Sequence, residues 1–161
     1  MAVTPAAFKQ ALQQWASGVA IVTSKSDQLG VRGMTVTAFS SVSADPPLIL
    51  VCLNQSADTA ENIDQNQRFA VNILSDKQQD ASNNFSGGSS QEDRFAQTCW
   101  HVGTTGVPIL DDSIMSLECK VVDKISAGSH WVVIGAVEAA NSREGEPLLY
   151  FRGKYRQLAE D

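Results

Sequence analysis

The chain has 161 residues, of which 43% are hydrophobic and 19% are charged. This size and composition are typical of one globular domain, spanning residues 1–161, and not of a disordered or collagenous chain. Twelve Lys and Arg against eighteen Asp and Glu give a formal net charge of −6, which argues against a nucleic-acid partner because phosphate-tracking surfaces are basic. We therefore expect any anionic ligand to be held locally, by backbone N–H groups, hydroxyls or a few placed cations.

The cysteines and the N-terminus indicate where the protein works. Cys52, Cys99 and Cys119 are widely spaced and contain no Cys-x-x-Cys pair, so we expect reduced thiols and neither a disulfide framework nor a metal site. No basic start is followed by an apolar signal sequence, and no stretch approaches about 18 apolar residues. The sequence therefore predicts a soluble cytoplasmic protein that does not associate with membranes.

The first predicted element is a helix. Thr4 is a good N-cap, and Pro5 suits the first helical position. Apolar side chains follow at helical spacing, and we expect the helix to end near Gly18. The apolar residues that would share one face are Phe8, Ala11, Leu12 and Trp15.

Three strands are predicted after this helix. Asp27 to Gly30 turn the chain, and Pro46 and Pro47 interrupt it again. The third run is continuously apolar, so we expect a strand buried on both faces. The predicted strands cover residues 19–24, 31–42 and 48–53.

The rest of the chain adds two helices and four strands. Asp58 and Glu61 have the spacing of a capping box, which predicts Asp58 as the N-cap of a helix over residues 59–65. Residues 84–106 are rich in Gly and Ser and have no regular period, so we predict a long loop. A second, polar helix is expected over residues 76–83, and strands over residues 68–74, 115–124, 131–140 and 148–152.

These elements predict the fold class. Six or seven strands in hairpin-like order, without regular strand–helix–strand alternation, favour a mainly β fold over a doubly wound sheet. We predict a six- to seven-stranded antiparallel barrel with a few flanking helices.

A hydroxyl-rich strand is the first candidate site. In an ideal strand, Val36, Ala38 and Ser40 share one face. The other face would carry Thr35, Thr37, Phe39 and Ser41. The hydroxyls could bind a polar heteroaromatic ring, but a plain solvent-facing Thr/Ser strand fits the pattern as well.

A polar turn after the third strand is the second candidate. Unpaired N–H groups at the following helix start, with the hydroxyls of Ser56 and Thr59, could hold a phosphate. Asp58 is an awkward neighbour for an anion, and the alternative is a purely structural helix cap.

His130 is the third candidate, at a turn that leads into a strand. A surface histidine without a role is the alternative, and His101 has less support. Neither histidine lies in a Ser-His-Asp or metal-ligand spacing, and the chain has no G-x-G-x-x-G or P-loop.

Taken together, the segments resemble the short-chain flavin reductase family, with its Greek-key FMN-binding split barrel, and within it the reductase components of two-component flavin monooxygenases. The resemblance extends from Phe8 to Leu158. Its residues are Gly33–Ser43 with Asp45-Pro46-Pro47, Leu50–Asn54 with Ser56 and Thr59, Phe69–Leu74, Arg94-Phe95, Pro108–Leu110, Leu117–Cys119, Gly128–His130 and Leu148–Phe151.

The resemblance implies a homodimer that uses exchangeable FMN or FAD and oxidises NADH or NADPH. It places the flavin ring along residues 35–41, the flavin phosphate at the polar turn, Phe85 at the flavin edge and His130 on the nicotinamide side. The cofactor-binding residues that it implies are Met34, Thr35, Val36, Thr37, Ser40, Ser41, Cys52, Leu53, Asn54, Ser56, Thr59 and Phe85.

The implied activity is hydride transfer from NAD(P)H to flavin. The reduced flavin would then diffuse to a partner monooxygenase. Gln55 stands where many relatives have a basic residue, so we expect weak phosphate binding, and Ser129 leaves His130 without a carboxylate partner. Lys25 and Arg32 could face either a flavin tail or a dinucleotide. The alternatives are a flavin-dependent reductase of ferric iron or a corrinoid, and a flavin-binding module without activity.

Overall fold

The computed structural model describes residues 2–161. The helices are α1 Pro5–Leu12, α2 Asp58–Asn66, α3 Gln79–Phe85 and α4 Gln91–Ala96, with a 3-10 helix at Asp76–Gln78 before α3. The strands are β1 Ser17–Gly18, β2 Ala20–Ser26, β3 Gly30–Val36, β4 Phe39–Ala44, β5 Pro47–Asn54, β6 Arg68–Ile73, β7 Trp100–Val102, β8 Pro108–Leu110, β9 Met115–Ala127, β10 His130–Ser142, β11 Leu149–Phe151 and β12 Lys154–Arg156.

Seven strands form one antiparallel sheet in the order β3-β2-β6-β9-β10-β5-β4. A small sheet has the order β1-β11-β12, and β7 pairs with β8. The mainly β fold, with seven antiparallel strands and a few flanking helices, is confirmed.

The connection between β3 and β4 forces this sheet to curl. These two strands are the opposite edges of the sheet, yet only Thr37 and Ala38 separate them. Seven strands about 4.8 Å apart would place the edges of a flat sheet about 29 Å apart. Three residue steps span at most about 11 Å. The sheet therefore closes on itself, β3 also contacts β5, and the opening of the barrel lies beside Thr37 and Ala38.

The same connection changes which side chains share a face. The chain bends there, and Phe39 N donates to Thr37 O at 3.0 Å. Val36 is buried in the main core, and Phe39 packs against that same core. The predicted single strand over residues 31–42 is therefore wrong, and so is the predicted alternation that placed Val36 and Phe39 on opposite faces.

The two larger clusters of buried apolar side chains support the sheet. The main core fills the inside of the curled sheet under α2, and it is made of Ala20, Val22, Val36, Ile49, Val51, Leu53, Ala60, Ile63, Phe69, Val71, Cys119 and Val133. The second core lies beneath α3 and α4, and it is made of Val19, Ile21, Leu74, Phe85, Phe95, Leu110 and Leu148.

The edge strand β3 is covered by α3 and α4. Gly33 N donates to Gln91 Oε1 at 2.8 Å, and Arg94 Nη1 donates to Gly33 O at 2.9 Å. A Cβ on Gly33 would lie 2.7 Å from Cε1 of Phe85, so only glycine allows this close approach. The backbone N–H and C=O of Gly33 on this sheet edge are thereby satisfied without another strand.

Several predicted boundaries need correction. Helix α1 is capped by Thr4, whose Oγ1 accepts from Ala7 N at 3.2 Å, but the helix ends at Leu12 and not near Gly18. The N-cap of α2 is Ala57, and Asp58 is its first helical residue without a capping role. The predicted loop over residues 84–106 contains α4 and β7, because Ser90 caps a helix by accepting from Asp93 N.

Strand β5 is buried on one face only, contrary to the prediction. Ile49, Val51 and Leu53 are buried in the core, whereas Leu48, Leu50 and Cys52 are half-buried on the outer face. Facing them on β10 are Val132, Ile134 and Ala136, each half-buried and each directly opposite one of these residues. The outer surface of this strand pair is therefore apolar and only partly covered.

Among the helices of residues 2–161, none has the length and apolarity that a membrane crossing requires.

Gly135 provides a test of the main core. A Cβ there would lie 2.6 Å from Cζ of Phe69 and 2.8 Å from Cβ of Cys119, both fully buried residues. We expect Gly135→Ala to lower the free energy of unfolding by about 1 to 3 kcal/mol because the core cannot accommodate the methyl group. Urea denaturation at fixed protein concentration measures this change.

Gly18→Ala is the matched control, since a Cβ at Gly18 meets nothing within 4 Å. Equal stability of the Gly135→Ala variant and the wild type would contradict the packing described for this core.

Candidate functional site

The surface around Thr37 is concave. A cavity of about 210 Å³ is lined by Thr35, Val36 and Thr37 together with residues of α3 and of the C-terminal hairpin. A larger cleft of about 540 Å³ shares Thr37 with it and continues along Ala38 and Phe39. The opening of the curled sheet therefore coincides with the surface where the sequence places a heteroaromatic ring.

The edge strand β4 adds hydroxyl groups to this opening. β4 pairs with β5 on one side only, so backbone N–H and C=O groups along its other side have no strand partner. Ser40 and Ser41 are exposed, and Ser40 Oγ donates to Ser41 O at 2.9 Å. Cys52 N donates to Ala38 O at 3.1 Å, which fixes the opening beside β5.

The turn between β5 and α2 is compact. Asn54 Oδ1 accepts from Ser56 N at 3.0 Å and from Ser56 Oγ at 2.8 Å. Both residues are exposed. An anion bound here would replace Asn54 Oδ1 as the acceptor of these two donors, which keeps the energetic gain of binding small.

Thr59 lies in the first turn of α2 and is fully buried. Its Oγ1 has no hydrogen-bond partner among the described residues, which costs free energy for a buried hydroxyl. The first N–H groups of a helix also lack intrahelical acceptors. An unsatisfied hydroxyl next to such N–H groups fits an anionic or hydrogen-bonding group at this helix start.

His130 lies at the same end of the sheet as this turn, because it is paired directly opposite Asn54. Its Nδ1 is 2.8 Å from Ser129 Oγ, so a hydroxyl takes the place of the orienting carboxylate that this chain lacks. His130 is exposed, and a ligand can reach its ring.

Gln55 joins the two turns. Its backbone N donates to Ser129 O at 3.1 Å. Its Nε2 donates to His130 O at 3.2 Å and to Ser126 Oγ at 3.0 Å. Where a basic side chain would attract a phosphate, this chain therefore has an amide that fastens the His130 turn to the β5–α2 turn.

One cation, Arg94, acts electrostatically on Asp58 at the start of α2, although it lies far away in sequence. Arg94 bonds Gly33 O, and burial lowers the pKa of its guanidinium, while the charge of Asp58 opposes that shift. Arg94 therefore partly offsets the Asp58 carboxylate at the helix start. In the sequence, Arg94 was indicated only by the Arg94-Phe95 pair of the family resemblance. No spacing in the sequence linked Arg94 to Asp58.

The structure brings most predicted site residues to one end of the sheet. Thr35, Val36 and Thr37 line the smaller cavity, and Thr35 Oγ1 donates to Ser82 O at 2.7 Å. Beside the opening, β4 carries Ser40 and Ser41, and β5 carries Cys52, Leu53 and Asn54; Ser56 lies in the β5–α2 turn and Thr59 in α2.

Three predicted residues are placed differently. Leu53 is fully buried and Met34 packs against the main core, so their side chains support the strands from behind. Phe85 is 1% exposed and packs edge-to-face on Phe95, with ring centroids 5.2 Å apart. Its ring lies behind Gly33, and in this chain only the exposed residues that follow it, Ser86 to Gly88, reach the surface.

Sequence reasoning missed the aromatic wall of the smaller cavity. Tyr150 and Tyr155 of the C-terminal hairpin line it, with ring centroids 5.5 Å apart. Ser82 Oγ and Tyr155 OH are 2.7 Å apart. The sequence indicated this part of the site only through the run Leu148–Phe151 of the family resemblance. No periodicity in the sequence indicates that this hairpin folds back over Thr37.

The other charged or reactive candidates lie elsewhere. Lys25 lines a polar cavity with Gln65 and Asn66, and Arg32 Nη1 donates to Val31 O. Burial, followed by the charges of Glu138 and Glu118, raises the pKa of Cys119 to about 12, so this thiol stays protonated. In residues 2–161 no group of His, Cys, Asp or Glu is arranged to hold a metal ion.

Comparison with known proteins identifies relatives over nearly the whole chain. Residues 12–159 match the flavin reductase like domain family. The chain is 38% identical over 161 residues to the FMN reductase (NADH) RutF of Pseudomonas syringae pv. syringae, covering 99% of this chain and 90% of that protein. It is 34% identical over 156 residues to the flavin-dependent monooxygenase reductase subunit HsaB of Mycobacterium tuberculosis, covering 95% of this chain and 82% of that protein.

A solved structure shares the fold. The NADH:FAD oxidoreductase SgcE6 of Streptomyces globisporus, in complex with NAD and FAD fragments, superposes with a TM-score of 0.91 at 28% identity, covering 100% of this chain and 98% of that chain.

Proposed function

We propose a function from one premise, which is that this chain belongs to the flavin reductase like domain family. The protein is an NADH-dependent flavin reductase that uses FMN or FAD, and reduced flavin passes to a flavin-using partner enzyme. The residue roles below are our proposals for how this chain carries out that reaction.

A bound flavin supplies the chemistry by accepting a hydride. The residues at the opening fit such a ring, because Thr37, Ser40 and Ser41 offer hydroxyls and β4 has a free edge. We propose that these groups bind the polar end of the ring. Hydrogen bonds from these groups would stabilise negative charge on that end of the ring.

The flavin phosphate would lie at the start of α2. Asn54 and Ser56 would turn their donors toward it, and the unsatisfied hydroxyl of Thr59 is buried in the same helix turn. Position 55 is Gln and not a basic residue, and the net charge is −6. We therefore propose that this chain holds the anion weakly. Weak binding favours exchange of the flavin.

His130 would position the nicotinamide. Ser129 fixes its Nδ1, and Gln55 fixes its backbone, so the other ring nitrogen is presented to the ligand in a defined direction. Positioning of the two reactants is the main contribution that the protein makes to hydride transfer.

The observation that carries these roles is the pairing of strands around β5. Ala38 bonds Cys52, and Asn54 lies opposite His130. Cys52 and Asn54 are two residues apart on β5, and two residues along a strand span about 6.7 Å. Ala38, the β5–α2 turn and His130 therefore lie close enough together to contact one flavin–nicotinamide pair.

We further propose that the partner enzyme is a monooxygenase and that this protein is a homodimer. The monooxygenase is supported by the HsaB reductase subunit among the relatives. The dimer is supported by the half-buried apolar surface of Leu48, Leu50, Val132, Ile134 and Ala136, since continuous apolar surface of this kind usually contacts another protein.

Flavin dependence of NADH oxidation tests the activity. We expect oxidation to be slow without flavin and to rise with added FMN or FAD until it saturates, because the flavin is the hydride acceptor. Absorbance of NADH and of the flavin follows both substrates. Turnover that proceeds equally with ferric iron or a corrinoid and no flavin would contradict the proposal.

Replacement of His130 tests its role. His130→Ala should raise KM for NADH on the order of tenfold, since it removes one hydrogen bond to the ligand, and leave KM for FMN nearly unchanged. Steady-state kinetics measure both constants. His101→Ala is the matched control, because exposed His101 bonds Asp111 on the β7–β8 hairpin; equal behaviour of the two variants would remove His130 from the site.

Light scattering tests the dimer. The wild type should have the mass of two chains, and Val132→Lys should reduce it toward one, because a buried lysine at an interface is costly. Val102→Lys is the control, since Val102 is exposed on β7. A monomeric wild type would overturn this proposal and leave the activity untouched.

A further inference from the structure

The loop that joins β11 to β12 holds an arginine in a conformation that arginine rarely adopts. Arg152 and Gly153 form a two-residue hairpin loop with φ of +52° and +72°. Such loops favour Asn-Gly, since a long side chain is crowded at positive φ. The other non-glycine residue with positive φ in residues 2–161 is Gln67, which follows α2 at a position where this conformation is common. The two-residue loop requires a positive φ of its first residue, so the hairpin itself fixes the direction in which the Arg152 side chain leaves the backbone.

The segment after α1 fixes Arg152 in place. Arg152 N donates to Gln13 O at 3.1 Å. Its Nε and Nη2 donate to Gln14 Oε1 at 3.2 and 2.9 Å, and its guanidinium lies 5.0 Å from the centroid of the Phe151 ring. These contacts hold the exposed guanidinium in one position, and its remaining N–H groups can donate to a ligand.

Arg152 lines the larger cleft of about 540 Å³ described above, which we call the Trp15–Arg152 cleft. Trp15, Phe39 and Phe151 give it flat apolar walls, and Trp15 is 76% exposed. Lys9 is a second cation in the lining, and none of the described lining residues is acidic. In a chain of net charge −6, this is a local positive site.

This combination suits one class of ligand. A flat heteroaromatic base stacks on indole and phenyl rings, and a phosphate binds guanidinium and ammonium groups. The volume is within the usual range for small-molecule sites. The cleft also shares Thr37 and Tyr150 with the smaller cavity, so a ligand in it would continue toward the proposed flavin ring.

We propose that the Trp15–Arg152 cleft binds the adenosine 5′-phosphate unit of a dinucleotide, with Arg152 on the phosphate and Trp15 against the base. The identity of the dinucleotide rests on the proposed function, because NADH and FAD both carry this unit. The binding of the unit itself depends only on the cleft.

Calorimetric titration of FMN-saturated protein with AMP tests the site directly. We expect AMP to bind the wild type and Arg152→Asn to weaken it about tenfold, since charge-assisted hydrogen bonds are the stronger ones. Asn suits positive φ, so the loop keeps its conformation in this variant. Arg156→Asn, at an exposed position of β12, is the matched control and should bind AMP as the wild type does.

Two kinetic comparisons identify the source of the unit. The first comparison uses FMN as the flavin and two hydride donors, NADH and reduced nicotinamide mononucleotide, which lacks adenosine. If NADH supplies the unit, Arg152→Asn lowers kcat/KM for NADH about tenfold relative to kcat/KM for the mononucleotide. If FAD supplies it, the variant weakens FAD about tenfold relative to FMN in a fluorescence titration. Either result supports the proposal.

The proposal is overturned if AMP does not bind the wild type, or if Arg152→Asn and Arg156→Asn bind it equally well. It is also overturned if Arg152→Asn changes the mass in light scattering without changing AMP affinity, because the cleft would then be covered by a second copy. Absence of NADH:flavin turnover would contradict the proposed function, while the AMP titration would still decide the cleft.

Discussion

The short connection between β3 and β4 is the constraint on which the rest of the structure depends. Two residues join the opposite edges of a seven-stranded sheet, so the sheet has to curl, and its opening has to lie at Thr37 and Ala38. On one edge, Gln91 and Arg94 bond the backbone N–H and C=O of Gly33. The other edge keeps free backbone groups and serine hydroxyls, and unpaired polar groups beside a concave surface are suited to binding a ligand.

The site that results is made from short polar segments on a rigid sheet. Residues that contribute to it come from the β3–β4 connection, the β5–α2 turn, the β9–β10 turn and the C-terminal hairpin. Hydrogen bonds from Gln55 hold two of these turns together. The two turns therefore gain order from neutral hydrogen bonds, and the proposed phosphate position has no basic side chain at residue 55, which agrees with the proposed exchange of flavin.

Local patterns predicted the elements well and their faces less well. Thr4-Pro5 and the alternation of β-branched runs were sufficient for α1 and for most strands, because capping and periodicity act within a few residues. The capping role of Asp58 and the loop over residues 84–106 were wrong, since Ala57 takes the N-cap position and Ser90 begins a further helix. Val36 and Phe39 were assigned to opposite faces because a bend of two residues has no periodic signature.

The sequence by itself determined the fold class, the family resemblance and the candidate segments, because hydrophobic periodicity, turn residues and the order of motifs are properties of neighbouring residues. Only the tertiary structure decided that Asn54 pairs opposite His130, that Arg94 bonds Gly33 O, and that Tyr150 and Arg152 line one cleft with Thr37. These contacts join residues that are far apart in the chain. Their distances follow from how the sheet closes, and no local pattern records that closure.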